Sequence, residues 1–394
     1  MPFIGNQPTA VPLTSADLED NIISTAKIQD DAVTTAKTSY SDAPFRNIII
    51  NGDMSIAQRG TSVSGITGAG YNTIDRFRFS LSSAGTWTQT QSTDVPSGQG
   101  FAYSLKMDCT TANASLSAGS SMMFNQRVEG KNVQYLKKGT ANAESLTLSF
   151  WVKSNKTGTY IIEIFDRDNT RQISKSYTIS SADTWEKKII TFEGDTTGAF
   201  DNDNANSLDL LMWLVAGTDI TSGTLNTSWN SSTNANRAVG QVNLADSTSN
   251  YINITGLQLE AGTTASDFEF LPTDVNLQRC QRYFEKSYNY ETAIGTATAQ
   301  GCVFGSGSYS ATTTAYLNAS TVYSVEKRAT PTLTIYDFAG NSGKTTREHF
   351  GVGSSNNSNV IITADANPKR FGVTSSTGDN RTHLAYQFTA NAEL

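Results

Sequence analysis

The sequence predicts a mainly β protein: an antiparallel β-sandwich followed by a short helix and a smaller C-terminal β domain, with an extended repeat segment in front. Three observations predict it. Charged residues make up only 16% of the 394 positions, against roughly 25% in an average soluble protein, and Thr, Ser, Asn and Gly take their place. Short apolar runs alternate with a period of two between polar turn clusters. Helical spacing with a capping signal begins at one place, Thr273.

The elements follow in chain order. Residues 1–45 carry three prolines in the first dozen positions, then NIISTAKIQDDAVTTAKTSY (21–40), which repeats with a period of ten. Ile23, Thr25, Ala26 and Lys27 fall over Val33, Thr35, Ala36 and Lys37. Two such units cannot close a core, and an isolated repeat buries its few apolar groups only against copies of itself. Three chains around one axis would bury Ile22, Ile23, Ile28 and Val33 jointly, so the segment is expected to trimerise.

Residues 46–272 read as strands. LTLSFWVKS (146–154) alternates strictly, with Leu146, Leu148, Phe150 and Val152 on one face and Thr147, Ser149, Trp151 and Lys153 on the other. TYIIEIFD (159–166), EKKIITFEGD (186–195), LDLLMWLVAG (208–217) and YINITGLQLEAG (251–262) follow between Gly, Asn, Asp and Ser clusters. Many short strands without helical periodicity between them predict an antiparallel sandwich.

Residues 273–394 form the third division. In TDVNLQRCQRYFEKSYNY a capping residue precedes Leu277, Cys280, Gln281 and Phe284, spaced for about three helical turns. Leu277, Cys280 and Phe284 could line a threefold seam, the other reading being packing within one subunit. Short strands return in TPTLTIYD (330–337), NVIITAD (359–365), KRFGVTS (369–375) and HLAYQFTANAEL (383–394).

Composition removes several function classes. The net charge of −7 is spread along the chain, and no run of Lys or Arg interleaves with aromatics as a phosphate-tracking groove requires. Nucleic acid is therefore not an expected partner. Cys109, Cys280 and Cys302 are odd in number and lack CxxC spacing, which argues against a zinc site or a dense disulfide framework. They are expected to be reduced, with a Cys280–Cys302 bridge left open. No run approaches a membrane span and the start lacks a signal peptide's pattern, so no membrane insertion is expected and synthesis is placed in a cytoplasm.

Several strings then carry a resemblance. RNIIINGDMSIAQRGTS (46–62), YNTIDRFRF (71–79), ITGLQLEAGTTASDFEFLPTDVNLQRCQRYFEK (254–286) and YQFTANAEL (386–394) resemble tail-fibre and other virion proteins of tailed bacteriophages. GNQPTAVPLTSADLEDNIISTAKI (5–28) looks like the N-terminal segment by which such fibres anchor to the particle. LTLSFWVKSNKTGTYIIEIFDRDN through TWEKKIITFEGD is similar to jelly-roll carbohydrate-binding modules. The resemblance implies a jelly-roll body, a homotrimer, docking on other virion tail or capsid proteins through residues 1–45, and a C-terminal domain facing the host. It also implies a place in the virion, on the tail, and attachment to host-surface polysaccharide. The alternatives are a capsid decoration protein or tail adaptor without glycan binding, and a polysaccharide-degrading tailspike.

Candidate ligand-binding residues are aromatic, because sugar rings stack on exposed aromatic faces while amide and backbone groups read the hydroxyls. Trp151 points out of the predicted sandwich and is the sharpest candidate, set against a covering loop or neighbouring subunit. Trp229 lies in the polar loop NTSWNSSTNANR, and Tyr309, Tyr316 and Tyr323 lie amid Gly, Ser and Thr. Trp213, in a run apolar on both faces, is expected to be doubly buried, and Trp185 to be a packing plug. Catalysis is not expected, since His349 and His383 are the two histidines and neither GxSxG nor HExxH occurs. No cofactor is expected. A structural calcium at the DRDN and DNDN turns (Asp166, Asp168, Asp201, Asp203) is weighed against ordinary solvated turns, and the turns are preferred.

Overall fold

The computed structural model describes residues 45–306, 315–349, 353–359, 361–362, 366–377 and 383–394. The repeat segment, with Ile22, Ile23, Ile28 and Val33, lies outside the described residues. So does Tyr309.

Twelve strands make the sandwich: β1 (Ser62–Ile66), β2 (Arg78–Ser82), β3 (Thr86–Ser92), β4 (Ser104–Thr111), β5 (Ser121–Glu129), β6 (Leu146–Ser154), β7 (Gly158–Asp166), β8 (Arg171–Ile179), β9 (Glu186–Phe192), β10 (Asn206–Ala216), β11 (Asn230–Ser231) and β12 (Tyr251–Ala261). One sheet runs β1-β3-β4-β12-β6-β9 and the other β11-β8-β7-β10-β5-β2, every pairing antiparallel. This is a jelly-roll sandwich, as its strand exchange between the two sheets shows. The alternation in β6 does what the sequence requires. Leu148, Phe150 and Val152 enter the shared core with Ile162 and Ile164 of β7 and Leu210 and Met212 of β10, and the Phe150 ring meets Tyr177 of β8 edge-on at 5.2 Å.

Trp213 on the central strand β10 is buried on the opposite face of its sheet, packed with Ile161, Ala216 and Ala238. Its indole N–H donates to Glu163 Oε2 at 2.9 Å. Burial on both faces explains why LDLLMWLV shows no alternation.

The C-terminal part begins with a helix, Thr273–Gln281, which has no side-chain cap. It is shorter than the spacing suggested. Phe284 lies beyond it on β13 (Phe284–Lys286), and β14 (Val303–Ser306), β15 (Ala315–Val322), β16 (Thr332–Tyr336), β17 (Lys344–His349), β18 (Gly353–Asn359), β19 (Ile361–Ile362), β20 (Arg370–Thr377) and β21 (His383–Asn391) follow. Strand β21 is the organiser: it pairs with β14 and β17 along its first half and with β13 and β16 along its second. Ile335, Phe371, Val373, Tyr386 and Phe388 form this part's own core.

Residues 45–394 nevertheless form one compact unit, so the boundary at Thr273 separates two cores rather than two bodies. Arg282 grips Glu129 of β5 with two hydrogen bonds of 2.7 and 2.6 Å, and the Tyr283 hydroxyl donates to the same carboxylate at 2.6 Å. Burial alone would raise the Glu129 pKa, but these donors outweigh it and hold the carboxyl below its usual range. Glu393 is held by Arg76 and by Arg59, and the Leu394 carbonyl accepts from Arg127 at 2.5 Å and from the Tyr71 hydroxyl at 3.1 Å.

The expected threefold seam is corrected by this packing. Cys280 and Tyr283 are buried against Ile50 and Ile56, with Leu277 packed beside them. Phe284 is 4% exposed and lies under the Arg59 guanidinium, 3.7 Å from its ring centre. The helix therefore serves its own subunit, because the segment 46–56 supplies the apolar surface that a neighbouring chain would otherwise supply. All three cysteines are free, Cys109 and Cys280 buried and Cys302 half-buried. Among the described residues no helix is long and apolar enough to cross a membrane.

Candidate functional site

The outward face of β6 carries the site. Trp151 is half-buried and pairs across the sheet with Lys187 of β9 and Thr255 of β12. It lines a cavity of about 320 Å³ together with Lys187, Ser149, Phe101, Asp267 and Phe270. Within reach of one ring-sized ligand there are thus an indole face, a phenylalanine wall and polar groups of both charge signs. Among the described residues the Trp151 indole N–H has no hydrogen-bond partner, and Lys187 has no ion pair.

Two segments that cross the sheet build the wall. The first, between β3 and β4, is pinned at Asp94: Lys153 Nζ lies 2.6 Å from one carboxylate oxygen and Trp185 Nε1 donates to the other at 3.0 Å. Those donors outweigh the cost of burial and hold the Asp94 carboxyl below its usual range. Trp185 is thereby an anchor for this loop rather than a plug at a strand entrance. The second segment follows β12. Its attachment explains why the outward positions of that strand are polar yet buried: Gln258 Oε1 accepts from Glu269 N at 2.8 Å, Gln258 Nε2 donates to the Asp267 carbonyl at 3.1 Å, and Glu260 accepts from Ser266 Oγ at 2.7 Å.

The aromatic wall is a three-ring cluster. Phe101 lies 5.1 Å from both Phe268 and Phe270, and these two are 4.8 Å apart, the ring pairs at angles of 43° to 70° that suit edge-to-face contact. Phe270 remains 50% exposed. The cluster needs Gly256, whose φ is +63° and whose missing Cβ would stand 2.6 Å from Phe101 Cζ. A break in register between Thr255 and Gln258 marks the same place.

Two of the other aromatic candidates, Trp229 and Tyr323, are corrected. Trp229 is half-buried against the sandwich core, its Nε1 donates to the Glu193 carbonyl at 2.7 Å, and its ring lies 5.3 Å from Lys138 Nζ. That ring is committed internally. Tyr323 is 5% exposed and stacks on Phe371 at 5.4 Å, so it is a core residue of the C-terminal sheet. Tyr316 lies on β15, and its side chain lies outside what is described.

The acidic turns are used by the chain itself. Asp166 Oδ1 accepts from the backbone N–H groups of Asp168 and Asn169 at 2.9 and 3.0 Å, and Asp168 accepts from Asp201 N at 2.9 Å. Sequence reasoning missed Phe101, Phe268, Phe270 and Lys187. A Phe-Glu-Phe string directly after a strand with polar outward positions was the available signal.

No protein-family model and no curated protein matches the sequence. Solved structures similar to the chain include the enzymatically active domain of tailspike protein 4 of bacteriophage CBA120, at 15% identity and a TM-score of 0.29, over 56% of this chain and 22% of that one. The chain thus spans about a fifth of that tailspike domain. A putative sugar binding protein from Bacteroides thetaiotaomicron is similar at 12% identity and a TM-score of 0.31, over 55% of this chain and 99% of that one. TmCBM61, solved with β-1,4-galactotriose, is similar at 11% and 0.28, with the same two coverages.

Proposed function

We propose that the chain is a non-enzymatic structural protein of a phage virion, a tail fibre or receptor-binding protein, and that it holds a host-surface glycan in the Trp151 pocket. The observation that carries the reading is the outward Trp151 beside an exposed Phe270, with unpaired Lys187 and the Asp267 carboxylate at the same cavity. An apolar floor with a few convergent polar groups is the arrangement that sugar binding needs. The phage part of the reading is supported by the strings at 46–79 and 254–286, and the trimer by the ten-residue repeat.

A glycan array with the full chain tests it. Binding is expected to a subset of host polysaccharides, and Trp151→Ala should weaken it by roughly tenfold or more, the scale of losing a stacked ring. Equal binding by the variant would remove the pocket from the reading. Release of reducing ends from a bound polysaccharide would overturn the non-enzymatic part, and a monomeric mass for the intact protein would overturn the trimer.

A further inference from the structure

A second cavity, about 310 Å³, opens between β5, the segment 45–50 and the helix Thr273–Gln281. Arg127, Arg279 and Arg282 line it together with Tyr135 and Asn132, and no carboxylate does. The three guanidiniums differ in what they already hold. Arg282 is taken up by Glu129. Arg127 gives one hydrogen bond to the Leu394 carbonyl, while its buried Nε donates no hydrogen bond and lies 3.9 Å from Asp209 Oδ1. Arg279 donates to the Asn47 carbonyl at 3.2 Å and has no ion pair among the described residues.

The acids nearby are already engaged, two of them by Arg282 and Arg127 of this same lining. Glu269 accepts from the Phe45 and Asn47 backbone N–H groups at 2.7 and 3.0 Å, Glu129 from Arg282 and Tyr283, and Asp209 from Arg167 Nε at 2.7 Å. Burial pushes the Arg279 guanidinium below its usual pKa, which marks a cation desolvated without a counter-charge in contact. A guanidinium has five donors in a fixed fork that matches an oxyanion.

We infer that this cavity is an anion-binding pocket, distinct from the Trp151 pocket, that takes a carboxylate- or phosphate-bearing group with Arg279 as its principal donor. The ligand chemistry is that of an oxyanion, a carboxylate or a phosphate group. Asn132 and Tyr135 stand at its exposed rim.

Calorimetric titration of the full chain at constant ionic strength tests this with three probes: sodium glucuronate, inorganic phosphate and neutral glucose. Saturable binding is expected for glucuronate if the natural group is a carboxylate, for phosphate if it is a phosphate, and not for glucose. Arg279→Gln should weaken it by about tenfold or more, the scale of one charge-assisted hydrogen bond. Asn132→Asp, a change at an exposed position, should weaken it too, because it adds like charge at the mouth. Trp151→Ala should leave it unchanged. Absence of saturable binding for both anions, or equal affinity in the wild-type chain and in both pocket variants, would overturn the proposal.

Discussion

Lys138 Nζ lies 2.5 Å from Asp166 Oδ2, with the two side chains 5% and 0% exposed. The same ammonium is 3.0 Å from Asp195 and meets the Thr197 and Gly198 carbonyls at 3.0 and 2.7 Å. Two carboxylates and two carbonyls are the hard oxygen set a calcium ion would choose, and here a lysine fills their centre. Lys138→Met should therefore leave two carboxylates without their shared cation and cost about 3–5 kcal/mol. The check is the urea midpoint, which should fall with an unchanged slope.

Asp75 gives a pH dependence of unusual sign. It is fully buried, and burial raises its pKa from 3.8 to about 6 despite the Arg59 charge and the Gln58 hydrogen bond. A folded pKa above the unfolded one stabilises the fold below pH 4 and loses that contribution as pH rises through 6. Stability attributable to Asp75 should drop by on the order of 2–3 kcal/mol between pH 4 and 7.5. Midpoints of the wild-type chain and Asp75→Asn, compared at pH 5 and pH 7.5, isolate it; a constant difference between the two would refute the sign.

Gly256→Ala should injure the Trp151 pocket, the one proposed to hold glycan, without changing a residue that lines it through its side chain. A left-handed residue costs roughly 1–2 kcal/mol once it carries a Cβ, and the new methyl collides with Phe101. Displacing that ring loosens Phe268 and Phe270. Tryptophan fluorescence should report a changed Trp151 environment, and glycan affinity should fall more than stability alone explains.

Phe284→Ala should act on the subunit and not on assembly. The ring is covered by Arg59 and carried by a strand that pairs with Asn391, so its loss should cost about 3–5 kcal/mol. Native mass spectrometry below the unfolding midpoint should show the same oligomeric state for the variant and the wild-type chain. Dissociation into folded subunits would restore the seam.

Period-two alternation located β6 at its observed bounds, Leu146–Ser154, because one face there is apolar and the other is not. It also placed Trp151 outward. It failed for Tyr323, since β15 alternates Ala319 and Thr321 inward, residues too small or too polar to announce a core face. The covering segments were invisible for a different reason: their partners, Gln258 and Glu260, look like solvent-facing residues until the chain that satisfies them is in place. Phe284 shows the limit of spacing arguments, because a residue at i+4 continues a helix only if the chain does.

The bond between Arg76 and Glu393 joins residues 317 positions apart. At roughly 5–20 residues per second of synthesis, the Arg76 side chain exists for about 15–60 s before its partner leaves the ribosome. Through that interval Arg76, Arg59 and Arg127 sit around an empty socket. The sandwich would then be nearly whole while this closure waits for residue 393, and a nascent chain stalled before that residue should be far more open to protease than one that has passed it.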